Sequence, residues 1–386
     1  VVGRRGGRWT AVALCLPLAL GACGTATGSP TVPGPSATPG SPSATARAAP
    51  TASASPTSPT YALGRFPAFP TGALPASTEA RLQAVLDAVV ADGSFAGITA
   101  SVIVADRGSW AGAAGTSDGE PLTTASRAPT HSSAKTIVAA QVMRYVESGK
   151  LGLDARAADY LPPSLAFVDG NDATIRQVLG MRSGIPDLHE DEGYYPAEQA
   201  VTIEDVFRML PPAETAPGTV LHYASTNYVL LGAIIEHLSG QPLADALRSG
   251  VLDRPGLEGI VYTVDGALAG DGWGVESTSA SLARWAYELY GGFVVSTTSL
   301  DEMIDFRGQW YGLGTFDFSS ILGRRAVGHE GESSVTTCCS VIEVAALPDQ
   351  GIVIAVQADT GDNLTDRDFF AALTAVSRAL RDAART

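Results

Sequence analysis

Two serines lie where a hydroxyl could act as a nucleophile, and they imply different chemistry. Gly115-Thr116-Ser117-Asp118-Gly119 has the G-x-S-x-G spacing of a nucleophile elbow, which needs a strand before the serine and a helix after it. A strand-like run does precede Ser117, but Glu120-Pro121 follows with no helical pattern, so the segment reads as a polar turn. His131-Ser132-Ser133-Ala134-Lys135 has a different setting. Ile137, Val138, Val142, Met143 and Val146 continue from it at helical spacing as far as Gly149. That places Ser132 and Lys135 at i and i+3 on one face of a helix N-terminus. A serine hydroxyl is a poor nucleophile until a base takes its proton. A lysine amine can be that base where burial and the positive helix end lower its pKa.

Further residues extend the constellation. Tyr223-Ala224-Ser225 precedes a strongly apolar helix over 229–238, and Gly328-His329-Glu330-Gly331 lies on a late strand pattern. With S-x-x-K first, a tyrosine motif second and H-x-G last, the chain resembles the serine β-lactamase and penicillin-binding family. Within it, the resemblance is to the branch of class C β-lactamases, DD-carboxypeptidases and family VIII esterases. Ser148-Gly149-Lys150-Leu151-Gly152-Leu153-Asp154, the stretch Thr174 to Leu179, Ser183-Gly184-Ile185-Pro186, the stretch Thr226 to Gly232, Tyr311-Gly312-Leu313-Gly314 and Leu347-Pro348-Asp349 look like the same family. The resemblance runs from about Leu82 to the C-terminus.

This resemblance implies that Ser132 attacks a carbonyl and becomes the acyl-enzyme, while Lys135 and Tyr223 share the proton transfers, Tyr223 nearer the leaving group. Backbone N–H groups of Ser132 and Glu332 would form the oxyanion hole. Ser225, His329, Gly331 and Glu332 would border the substrate, Gly331 by letting its backbone approach closely. No cofactor is implied. Two positions depart from the family pattern. Ser225 stands where asparagine is usual, so its contact with Lys135 or a substrate amide is expected to be weaker or water-mediated. Glu330 and Glu332 flank Gly331, where two anions would repel a substrate carboxylate by roughly 1–4 kcal/mol. An uncharged ester or amide is therefore expected in preference to D-Ala-D-Ala or a β-lactam. These departures also motivate an alternative, a non-catalytic envelope binding protein that keeps the fold.

The elements that must hold these residues fall into an α/β (α+β) pattern. Leu82, Val85, Leu86, Val89 and Val90 predict an amphipathic helix ending at Gly93. Strand-like runs over 98–105 and 109–114 are joined by a turn at Asp106-Arg107-Gly108. Residues from about 134 to 250 read as mostly helical. Strand patterns return over 326–329, 336–345 and 351–357, and a last helix starts at a Thr365 cap, with Phe369, Leu373, Val376 and Leu380 as its buried stripe. An antiparallel sheet flanked by helices, built from both chain ends with an inserted all-helical domain, follows. The active site falls at the seam between the two.

Composition bounds the rest. The 386 residues carry a formal charge of -15, which argues against nucleic-acid binding. Arg4, Arg5 and Arg8, an apolar stretch over 11–20 and then Leu20-Gly21-Ala22-Cys23 predict a lipoprotein signal peptide over 1–22, with Cys23 lipidated. The Pro-, Ser-, Thr- and Ala-rich residues that follow, taken as 23–76, read as a disordered tether to a hydrolase domain over 77–386. The expected setting is the outer face of the cytoplasmic membrane or the cell envelope, with a small-molecule or peptidoglycan-like substrate. The chain has no C-x-x-C or H-E-x-x-H pattern, so zinc is not expected. His189-Glu190-Asp191-Glu192 reads as a solvated acidic loop, and Cys338-Cys339 as two small strand residues or a vicinal disulfide.

Overall fold

The computed structural model describes residues 61–168, 172–188, 202–213, 215–264, 266–332, 340–361 and 366–385. Its strands are β1 (Gly97–Val104), β2 (Gly108–Ser117), β3 (Glu120–Pro121), β4 (Ala128–Pro129), β5 (Val261–Tyr262), β6 (Val275–Ser277), β7 (Phe316–Asp317), β8 (Val327–Glu332), β9 (Ser340–Leu347) and β10 (Ile352–Asp359). Its helices are α1 (Ala76–Ala91), α2 (Lys135–Glu147), α3 (Ile175–Leu179), α4 (Ile203–Met209), α5 (Thr226–Ser239), α6 (Leu243–Leu247), α7 (Ser279–Gly291), α8 (Thr297–Met303), α9 (Ser319–Leu322) and α10 (Asp366–Arg385). Cys23, Cys338-Cys339, the 189–192 cluster and Thr365 lie outside the described residues.

Seven strands form one antiparallel sheet in the order β3-β2-β1-β10-β9-β8-β7. The two ends of the chain meet at its centre, where β1 and β10 pair from Gly97 opposite Asp359 to Val104 opposite Ile352. All eight residues of β1 are buried because both faces of the sheet are covered. On one face Ile98, Ala100, Val102 and Val104 pack with Leu82 and Leu86 of α1 and Leu373, Val376 and Leu380 of α10. On the other, Ile103, Val344, Val353 and Ala355 join Trp285, Tyr287 and Leu289 of α7 and the helices that follow α2. The helical middle is present as expected, from α2 to α6. A small sheet in the order β4-β6-β5 was not legible, because its strands have only two or three residues each.

The expected start of the folded part needs correction. Residues 61–75 belong to the fold rather than to a tether. Leu63, Phe66 and Leu74 are buried, the Gly64 N–H donates to Tyr290 O at 2.8 Å, and the Tyr287 hydroxyl donates to Pro67 O at 2.9 Å. Few large apolar residues are needed here, because each one inserts against α7 or the edge of β2.

Strand alternation decides where the two glutamates of β8 go. Glu330 lies opposite Glu343 of β9, on the face covered by α10, whereas His329 and Gly331 point the other way. The Glu330 carboxyl is pushed up to about 8 by burial first, then by Glu343 and Glu332. Burial pushes Glu343 up to about 7, with Ser377 and Arg378 of α10 pulling it back. The folded state thus binds more protons than the unfolded one between about pH 4.5 and 8, so these carboxyls make stability decline as pH rises across that window. We expect Glu343→Gln to flatten that decline and to add on the order of 1–3 kcal/mol at pH 8. Chemical denaturation at pH 5 and pH 8 checks it, and an unchanged slope would count against the pairing.

Candidate active site

The chain enters the site from β4. His131 adopts a left-handed backbone, φ 45°, and turns the extended strand into a short 3-10 helix, His131–Ala134, which runs on into α2. Ser132 therefore stands in a 3-10 turn before the α-helix rather than in its first turn, with Lys135 as the first α-helical residue. The expected same-face relation survives, since side chains at i and i+3 eclipse in a 3-10 helix.

Two glycines grip this turn. A Cβ on Gly331 would lie 2.7 Å from His131 Cβ and 2.8 Å from the Ser132 nitrogen. A Cβ on Gly272, φ +106°, would lie 1.8 Å from the His131 carbonyl oxygen. The close approach that Gly331 permits is made, within the chain, by the turn that carries Ser132. From below, the Trp285 indole of α7 donates to Thr136 Oγ1 at 2.8 Å, and that hydroxyl donates to Ser133 O at 2.8 Å.

Lys135 is fully buried. Its Nζ donates to Ser132 Oγ at 2.8 Å, to the Asp271 carbonyl at 2.8 Å and to Ser225 Oγ at 3.2 Å. Burial lowers the amine to about 8, against the opposing pull of Asp271 and Asp187. Ser132 keeps part of its surface exposed. Tyr223 bonds Ser132, its ring lies 5.4 Å from Lys135 Nζ, and burial holds its hydroxyl well above the usual range, so it stays protonated. An amine that can lose its proton near pH 8, a hydroxyl and a protonated phenol thus share one hydrogen-bonded group. That arrangement can take a proton from the serine and return one to a leaving group.

Ser225 departs from expectation. Despite the shorter side chain it reaches Lys135 directly, at 3.2 Å, and it is 5% exposed. Its hydroxyl is thus one of the three oxygens that meet the Lys135 amine. His329 also differs. It is 1% exposed, its Nδ1–H donates to Glu330 O at 2.6 Å, and Nε2 faces the Tyr311 hydroxyl at 3.3 Å. Burial first, then Lys135, lowers it to about 3, so it is neutral, with its ring against those of Tyr311 and Tyr223. Glu332 is exposed at the end of β8. Glu330, by contrast, is on the face covered by α10, so the two glutamates expected to act together on a substrate carboxylate differ in exposure. Ser117, the rejected candidate, closes β2 and donates to Asp359 Oδ2 at 2.6 Å, with no helix after it.

Asp187 and Asp271 were not singled out from the sequence. Asp187 Oδ1 accepts from the Ser225 N–H at 3.1 Å, in a loop laced to the N-terminus of α5. Thr226 Oγ1 donates to Pro186 O at 2.8 Å, Leu188 N donates to Thr226 Oγ1 at 2.8 Å, and Ser183 Oγ donates to Asn227 Oδ1 at 2.5 Å. Two segments noticed separately in the sequence thus fasten each other. Asp187 follows one of them directly, which was the available signal.

The beta-lactamase family model matches residues 82–376, and the chain belongs to that family. Penicillin-binding protein 4 of Amycolatopsis lactamdurans is 38% identical over 146 residues, 36% of this chain and 37% of the relative. Esterase EstB of Burkholderia gladioli is 32% identical over 211 residues, 47% of this chain and 51% of the relative. The chain thus spans about a third to a half of the length of these two relatives. The D-amino acid amidase of Ochrobactrum anthropi shares the fold at TM-score 0.64 and 20% identity, over 77% of this chain and 99% of that one.

Asp187→Asn keeps the acceptor for the Ser225 N–H but removes a charge that favours the ammonium form of Lys135. We expect the pH profile of Ser132 labelling by a fluorophosphonate to move about half a unit or more toward acid. Gly331→Ala should cost about 1–3 kcal/mol by thermal unfolding and slow the same labelling, because the added methyl must displace the nucleophile turn.

Proposed function

We propose that the protein is a serine hydrolase that cleaves an ester or amide through an acyl-enzyme on Ser132. The observation that carries this reading is the 2.8 Å contact between Lys135 Nζ and Ser132 Oγ, with the amine fully buried and lowered to about 8. In the neutral form Lys135 accepts the Ser132 proton as Oγ attacks the carbonyl. Tyr223, which keeps its proton, passes it to the leaving group and is reprotonated through Lys135. Backbone N–H groups of Ser132 and Glu332 receive the oxyanion, the role usually worth most in such reactions. Water then repeats the sequence on the acyl-enzyme with the same groups.

The substrate favoured here is uncharged, for a reason other than the one expected from the glutamates. His329 occupies the H-x-G position but is neutral and buried, and Lys135 is engaged internally, so neither offers a cation to a substrate carboxylate. The named relatives include a penicillin-binding protein and an esterase, and the esterase side of that range suits this site better. The binding-protein alternative loses its main motive, since Ser225 reaches Lys135 directly. The same proposal keeps the predicted leader, the lipidated Cys23 and an envelope location. Among the described residues no helix is long and apolar enough to cross a membrane.

Intact mass after treatment with a fluorophosphonate should show one adduct, absent in Ser132→Ala. The rate of its formation should rise with pH through about 8 and then level, because only the neutral amine is a base. An adduct on the alanine variant, or a rate that falls over this range, would rule the assignment out. Penicillin should react at least tenfold more slowly than a neutral ester of similar size.

A further inference from the structure

Trp310 is 45% exposed, yet it is the outer member of an aromatic cluster that ends on the catalytic tyrosine. Its ring lies 6.2 Å from that of Tyr223 at an interplanar angle of 24°, 5.7 Å from Tyr311 at 68° and 5.1 Å from Phe316 at 35°. The backbone is held as well, since Asp317 N donates to Trp310 O at 2.9 Å and Tyr311 bridges Phe316. The indole is therefore fixed in place, and a ring that stacks on it need not order it first. A large apolar surface left open against the ring of the catalytic tyrosine is a place for substrate to cover. A second indole, Trp273, is also 45% exposed and directly follows Gly272, whose Cα side abuts the His131 carbonyl.

We propose that Trp310 is a specificity-determining residue, which receives a flat aryl group on the leaving-group side of the scissile bond by stacking on its exposed surface. The assignment rests on the serine-hydrolase reading above, in which Tyr223 stands nearer the leaving group. An aryl group is favoured over a saturated one because offset stacking on an aromatic face adds to the burial of area. An anionic leaving group is disfavoured, since His329 is neutral and Lys135 is engaged internally, so no cation meets it. In the reaction considered, Ser132 Oγ forms a bond to the acyl carbon and the bond from that carbon to the aryl-bearing oxygen breaks. The alcohol leaves with the proton that Tyr223 passes to it, Lys135 returns the Ser132 proton to Tyr223, and water then releases the acid.

The test compares kcat/KM for benzyl acetate and cyclohexylmethyl acetate, which differ in ring unsaturation and little in size or leaving-group basicity. Wild type should favour the benzyl ester several-fold to about tenfold. Trp310→Ala should bring the ratio to about one, with the loss in KM for the benzyl ester, and Trp310→Phe should keep most of the preference. Ile321→Ala, another exposed apolar side chain, on α9, should leave the ratio as in wild type. If the alanine variant does not fold, Trp310→Leu retains bulk without a ring and carries the same expectation. A wild-type ratio near one overturns the proposal, as does an equal loss on both esters in Trp310→Ala, which would make Trp310 a prop for Tyr223. No turnover of either ester by protein that still labels on Ser132 overturns the aryl assignment alone. Absence of labelling overturns the hydrolase reading and this proposal with it.

Discussion

The interaction on which the rest of the site depends is the buried contact between the Lys135 amine and the Ser132 hydroxyl. An ammonium removed from water is costly unless its donors are all satisfied. Here three oxygens meet it, and they come from three parts of the chain: the 3-10 turn, the N-terminus of α5 and the segment after β5. Burial then makes the neutral amine accessible near neutral pH, while Asp187 and Asp271 keep the shift from going further. Each group around Lys135 is therefore constrained in position and in charge.

Much of the surrounding architecture can be read as support for that contact. The sheet seam at β1 and β10 brings the chain ends together, which sets β8 beside the nucleophile turn. Gly331 and Gly272 allow backbone to close on the turn from two sides, and Trp285 fixes α2 beneath it. The loop carrying Asp187 ties down Ser225, and through it the end of α5. His329, neutral behind Tyr311, completes a wall of rings whose inner member is Tyr223 and whose outer member is Trp310.

The clearest lesson about polarity comes from β8. His329, Glu330, Gly331 and Glu332 are consecutive, and in the sequence all four read as parts of one site. A strand sends alternate side chains to opposite faces, so the glutamates part from the histidine and glycine. Glu330 meets Glu343 under α10, where the two carboxyls affect stability instead of substrate charge.

From the sequence alone, Ser132 and Lys135 could be put forward as a pair because they lie one helical turn apart and need no distant information, whereas Tyr223 was reached only through the family resemblance. The antiparallel sheet from both chain ends and the helical middle were also legible, since apolar periodicity over eight or more residues reports a local preference. The tertiary structure decided what depends on neighbours far apart in the chain. It showed that Ser225 still reaches Lys135 and that Gly331 yields to the chain's own turn. It also buried His329, brought residues 61–75 into the fold and set Asp187 and Asp271 beside the amine. Side-chain direction and burial arise from packing between distant segments, and local residue patterns do not encode them.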